Sequence, residues 1–267
     1  MDLLVKDKAY VVVGGSAGMG FAAARQLAEE GARVAVVGRG RERAEAAATA
    51  LTEAGAGDAF ALTADAAGGV GGGAAAGDVV TAAAERLGGL DGIAVTTGLI
   101  GHEPFDVDDE RWTEVFQDVL LGTVRSVQAA LPFLERGGGT VVTTAAYGIR
   151  SPAIARLPYA SLKSGVATFT KGIAKAYGHA GVRANCVCPG AIETGGLARL
   201  RRRVAEERGI PAEGALEKVM LEEWHMDVAL GRPGRPSEVG ELIAFLLSPR
   251  AGYLTGALIN IDGGTDF

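Results

Sequence analysis

Two cysteines, three histidines and a 6% aromatic content in 267 residues leave little material for several kinds of chemistry. Cys186 and Cys188 lie in one alternating run, "VRANCVCPG", where side chains two apart on a strand point the same way. No second ligand pair accompanies them, so they read as buried strand thiols and no metal site is expected. Cations are also the minority: 26 Lys and Arg face 32 Asp and Glu, giving a net charge of −6 and a pI near 5.2. The electrostatic footprint of a nucleic-acid binder is therefore absent. No uninterrupted apolar run reaches the roughly 18 residues of a membrane span. The N-terminus lacks the basic region and apolar core of a signal peptide. The chain reads as cytoplasmic, with a small-molecule ligand and neither a nucleic acid nor a membrane as partner.

What the sequence has in quantity is apolar residues, 48%, and glycine, 41 residues. That is enough for one large α/β domain, expected to span 1–267. Apolar β-type runs alternate with Ala-rich helical stretches. Strands are expected at 9–15, 33–39, 59–65, 90–98, 139–146, 182–190 and 256–264, and helices at 18–30, 41–54, 78–87, 109–134 and 158–178. Strands separated by helices of this length imply right-handed crossovers. The fold class is thus α/β: a single-domain Rossmann fold, a doubly wound parallel sheet of about seven strands with helices on both faces. "AAGGVGGGAAAG" (66–77) reads as a flexible loop. Residues 195–235 break the rhythm with a charged helical insert that suits a lid over a site. Its Arg199, Arg201, Arg202, Arg203 and Arg208 read as a solvated helix face rather than a patch for an acidic carrier or substrate.

In "VVVGGSAGMG", Gly14, Gly18 and Gly20 follow the first strand and open the first helix. Glycine there allows a tight turn and close approach to a pyrophosphate, whose charge meets the helix N-terminal N–H groups. The second strand ends in Gly38-Arg39, where an NAD-selecting protein would place an acid for the ribose 2′-OH. Arg39, with Arg41 or Arg43 nearby, offers a 2′-phosphate a charge-assisted contact, which favours NADP(H) over NAD(H). In "LPYASLKSG", Tyr159 and Lys163 are one helical turn apart and share a face.

Together these motifs resemble the short-chain dehydrogenase/reductase family, in particular its 3-oxoacyl-carrier-protein reductase-like branch, over residues 5–264. The "PGAIET" turn (Pro189 to Thr194) and the "YLTGALINIDGG" ending belong to the same pattern. The resemblance implies that Tyr159 is the catalytic acid/base and that Lys163 holds the nicotinamide ribose and lowers the tyrosine pKa. An adjacent ammonium favours the phenolate of a group whose ordinary pKa is near 10. The resemblance also places Ser16, Ala17, Met19, Ala66, Thr97, Gly98, Pro189 and Gly190 against the cofactor, Asp65 at the adenine, and Ile192 and Thr194 beside the nicotinamide. It implies a homotetramer packed through the helices at 109–134 and 158–178, with "INIDGGTDF" near a second interface.

Three departures stand out. The family's serine about 13 residues ahead of the tyrosine falls on Ala145 or Ala146, and alanine has no donor. "VTTG" (95–98) replaces Asn-Asn-Ala-Gly, leaving Thr96 and Thr97 as polar substitutes. The family's helix asparagine maps to Val119. Thr144, His102 and Tyr147 are the candidate replacement donors, with Ala145 beside the substrate. The leading expectation is an NADP(H)-dependent reductase of a small carbonyl compound, free or carrier-bound, or the reverse alcohol dehydrogenase. Two alternatives stay open: a non-redox elimination or isomerisation in the same pocket, and a catalytically inactive cofactor-binding regulator or partner subunit.

Overall fold

The run Ala9–Val13, AYVVV, buries every side chain, as a strand covered on both faces must. In the computed structural model, which describes residues 2–64, 76–98, 105–153 and 156–265, this strand (β1) lies at the centre of a seven-stranded sheet. The others are β2 (Arg33–Gly38), β3 (Asp58–Thr63), β4 (Gly92–Val95), β5 (Thr140–Thr144), β6 (Arg183–Pro189) and β7 (Leu258–Ile261). The order is β3-β2-β1-β4-β5-β6-β7, with every pairing parallel. Alternation along β1 splits the core. Tyr10 and Val12 face α1 (Gly18–Glu29), α2 (Arg41–Ala54) and α9 (Pro236–Leu247), whereas Ala9, Val11 and Val13 face α3 (Ala76–Arg86), α5 (Gly122–Leu134) and α6 (Leu157–Tyr177). The strand order reverses between β1 and β4, and a crevice beyond the carboxyl ends of strands at such a point is the natural ligand position.

The helix expected at 109–134 is present but not uniform. Asp108 caps α4 (Asp109–Val115) by accepting from the Arg111 N–H at 2.9 Å, a π-helical segment follows at Phe116–Leu121, and α5 completes the run. The wider turn adds a residue and buries both Asp118 and Val119. The insert contributes α7 (Gly195–Arg208) and α8 (Ala215–Glu222), which share a small apolar cluster of Val204, Ala215 and Val219. The glycine-rich stretch expected as a loop lies outside the described residues up to position 75, and α3 begins at Ala76. Among the described residues, no helix is long and apolar enough to cross a membrane, and no group of three or more His, Cys, Asp or Glu could hold a metal ion.

Candidate active site

At the reversal point, the register pairs Val13 with Val95 and so brings the glycine loop against the residues after β4. Thr96 seals that contact: its backbone N–H and its hydroxyl both donate to the Val13 carbonyl, at 2.9 and 3.0 Å. A Cβ on Gly14, whose φ is +85°, would stand 2.6 Å from the Thr96 hydroxyl oxygen, so that site accepts only glycine. Thr96 is thus a structural brace. Thr97 is different, because its hydroxyl oxygen is buried without a hydrogen-bond partner. It lies in a cleft of about 200 Å³ with Gly14, Ser16, Ala17, Arg39 and Asp118. Arg43 lines the same cleft. Gly18 is also left-handed, at φ +57°, and faces Thr194. A glycine-walled cleft at a helix N-terminus, holding an unpaired buried hydroxyl and cations at its mouth, fits a phosphorylated dinucleotide.

Pro158 occupies the first turn of α6, where its missing N–H costs nothing, and the helix then carries Tyr159 and Lys163 inward. Lys163 is 2% exposed. Its ammonium donates to the carbonyls of Thr97 at 3.0 Å and Thr144 at 2.8 Å, and lies 5.6 Å from the centre of the Tyr159 ring. Burial pulls its pKa down to about 8, against the opposing charges of Cys186, Asp118 and Cys188. Gly98 permits this approach, since a Cβ there would come within 2.9 Å of the ammonium nitrogen. Burial also pushes the Tyr159 phenol above its ordinary range, and Asp118 and Cys188 push the same way. The cation that opposes this rise is Arg156. Asp118, 6% exposed, is the charged group near the tyrosine and lysine that residue spacing does not single out.

Beyond Tyr159 opens a cavity of about 880 Å³. Met19, Ala145, Pro189, Gly190, Ile192 and Thr194 line it on the sheet side, together with Ala146 and Tyr147. Thr144 is not among the lining residues: its hydroxyl donates to the Val95 carbonyl at 3.2 Å, because the end of β5 stays in register beside β4. The expectation that Thr144 replaces the serine hydroxyl is corrected accordingly. Gly20 is buried behind the loop, against Gly14 and Thr96. Asp65, Ala66 and His102 lie outside the described residues. The arginine row, expected as one solvated face, divides. Arg199, Arg203 and Arg208 line the cavity, Arg202 is exposed, and Arg201 is locked between Glu193 (2.6 and 2.8 Å) and Glu217 (2.8 and 2.9 Å). These bidentate pairs tie the loop after β6 to both insert helices.

Residues 13–266 match the family described as enoyl-(acyl carrier protein) reductase. A putative ketoacyl reductase of Streptomyces coelicolor is 32% identical over 258 residues, covering 95% of each chain. The chain belongs to the short-chain dehydrogenase/reductase family. Among solved members, the L-sorbose reductase of Gluconobacter frateurii, crystallised with NADPH and L-sorbose, superposes with a TM-score of 0.88 at 28% identity, over 99% of this chain and 98% of that one. An actinorhodin polyketide ketoreductase variant with NADPH gives 0.83 at 32% identity, over 97% of both chains. The short-chain dehydrogenase/reductase assignment agrees with the seven-stranded parallel sheet and with the placement of both clefts at its carboxyl edge.

Proposed function

We propose that this protein is an NADP(H)-dependent oxidoreductase that interconverts a small ketone and its secondary alcohol, with Tyr159 as acid/base. One observation carries the reading: α6 places Tyr159 in the wall of the large cavity while Lys163 bonds the Thr97 carbonyl at the edge of the glycine-walled cleft. The bound dinucleotide supplies or accepts the hydride. Lys163 and the unpaired Thr97 hydroxyl would hold its ribose, and Ile192 and Thr194 would flank the nicotinamide. In the direction of reduction, Tyr159 gives its proton to the substrate oxygen as negative charge develops there. A phenol kept neutral by burial is suited to that role. Asp118 favours the protonated form of Lys163 and so maintains its charge. We read the insert at 195–235 as a lid over one Rossmann domain that spans 1–267. The family resemblance argues for a homotetramer, and Leu258, exposed on the last strand of the sheet, is available to one of its interfaces.

NADPH is expected to bind at least about 10-fold more tightly than NADH, the worth of one charge-assisted contact. Arg39→Asp should erase or invert that preference. Fluorescence titration of both cofactors checks this, and equal wild-type affinities would remove the role of Arg39.

The missing serine gives a second expectation. Both alanines line the cavity, but Ala145 is also packed against Cys186, Cys188 and Ala167, whereas Ala146 lies outside that cluster. A hydroxyl at 146 should therefore reach a substrate oxygen, and Ala146→Ser should raise turnover of a generic ketone by about 10-fold or more. That is a fraction of the 10²–10³ typical of a preorganised oxyanion donor. Ala145→Ser should not raise it. Steady-state NADPH oxidation decides, and no gain from either change would mean that the site does not want this donor.

A further inference from the structure

The insert turns its apolar side toward the large cavity rather than into the two cores that flank the sheet. Leu197, Leu200 and Val204 recur along α7 at spacings of three and four, which puts them on one helix face. All three line the cavity, together with Val219 of α8 and with Trp224 and Met226 just after it. Behind this wall, Leu216, Met220 and Val228 belong to an apolar cluster on which Leu197, Leu200 and Trp224 are only half-buried. Four charged lining residues are exposed and pair with one another, Arg203 with Glu207 at 3.8 Å and Arg208 with Glu223, so their charge stays at the mouth. Water held against the half-buried apolar side chains is a standing cost, and a ligand of like character removes it. On the sheet side, the side chains of Ala145, Ala146 and Ile192 offer a substrate hydroxyl no partner to replace the water it would lose.

Resting on the ketone-reductase reading of this cavity, we propose that the substrate carries an extended, uncharged apolar body that binds the inner wall of the insert, with Trp224 as the specificity-determining residue. Trp224 packs on both apolar clusters of the insert and brings the largest ring of the wall to the place where they meet. A volume of about 880 Å³ leaves room for a body that reaches well beyond the carbonyl and its immediate neighbours.

The test measures kcat/KM along the 2-alkanones from 2-butanone to 2-decanone, at saturating NADPH. The value should rise about two- to fourfold with each added methylene, the upper figure being full transfer of one CH₂ out of water. Trp224→Ala should flatten that rise and leave 2-butanone, too short to gain from the wall, unchanged. Trp224→Phe, which keeps a ring, should recover most of the rise. Leu221→Ala, at an exposed position of α8 outside the cavity wall, should alter nothing. Calorimetric titration of 2-butanone and 2-octanone into the NADP+ complex separates the two readings. Affinity that climbs with chain length without turnover of any ketone would overturn the reductase reading and keep the apolar site. Turnover with kcat/KM flat along the series would do the reverse. An equal loss on every ketone in Trp224→Ala, with no recovery in Trp224→Phe, would also overturn the proposal. So would faster turnover of L-sorbose than of 2-hexanone, its apolar counterpart carbon for carbon.

Discussion

Tyr159→Phe is expected to bind NADPH with wild-type affinity and to turn over about 10²- to 10⁴-fold more slowly, the range for losing a positioned acid or base. The change deletes one hydroxyl and keeps the ring that packs with Val115, Val119 and Val166, so the local fold should hold. Single-turnover NADPH oxidation is the right measurement, because product release then cannot mask the chemical step. Wild-type turnover in the Phe variant would transfer the proton to another group, and Tyr147, in the same cavity wall, would be the first to examine.

Lys163→Met should abolish productive turnover and weaken NADPH, and it should also change how the fold responds to pH. The side chain is fully enclosed, and its pKa falls from 10.5 to about 8. Below pH 8 both the folded and the unfolded chains hold the proton, and the desolvation cost is present in full. Between about 8 and 10.5 the unfolded chain still holds a proton that the folded chain has released, so wild-type stability rises with pH across that window. At pH 9.5 the gain relative to pH 7 is about 2 kcal/mol, an order-of-magnitude figure. Lys163→Met lacks this group and should show no such rise. Urea unfolding of both proteins at the two pH values provides the comparison. A difference between them that stays constant with pH would mean that the Lys163 ammonium keeps its solvation inside the fold.

The parts of this molecule that are legible in the sequence are those set by local geometry. A strand, a glycine turn and a helix are contiguous, so Gly14, Gly18 and Gly20 announce their cleft without tertiary information. Tyr159 and Lys163 share a helix face by spacing alone. The seven strands are equally plain, because burial on both faces removes polar residues from runs such as Ala9–Val13. What escapes is set by contacts between distant segments. Asp118 lies in the π-helical segment, where an added residue per turn breaks the periodicity by which faces are assigned. Thr144 looks able to stand in for serine until β4 is placed beside it and claims its hydroxyl. Arg156 gains its setting from Trp224, 68 positions later in the numbering. The arginines of α7 look uniformly solvated because periodicity within one helix cannot reveal that α8 packs beside it and engages Arg201 through Glu217.

The double clamp on Arg201 has a thermodynamic corollary. Glu193 sits between Ile192 and Thr194, so the guanidinium that holds the insert also holds the loop assigned to the nicotinamide. Ordering of either segment then lowers the entropic cost of ordering the other. By reciprocity, if the insert is the lid proposed above, a cofactor that fixes the loop would tighten substrate binding under it by the same factor with which substrate tightens the cofactor. Four short charge-assisted bonds on one side chain would thereby couple the two ligands within a single protomer, and breaking them would let the two bind independently.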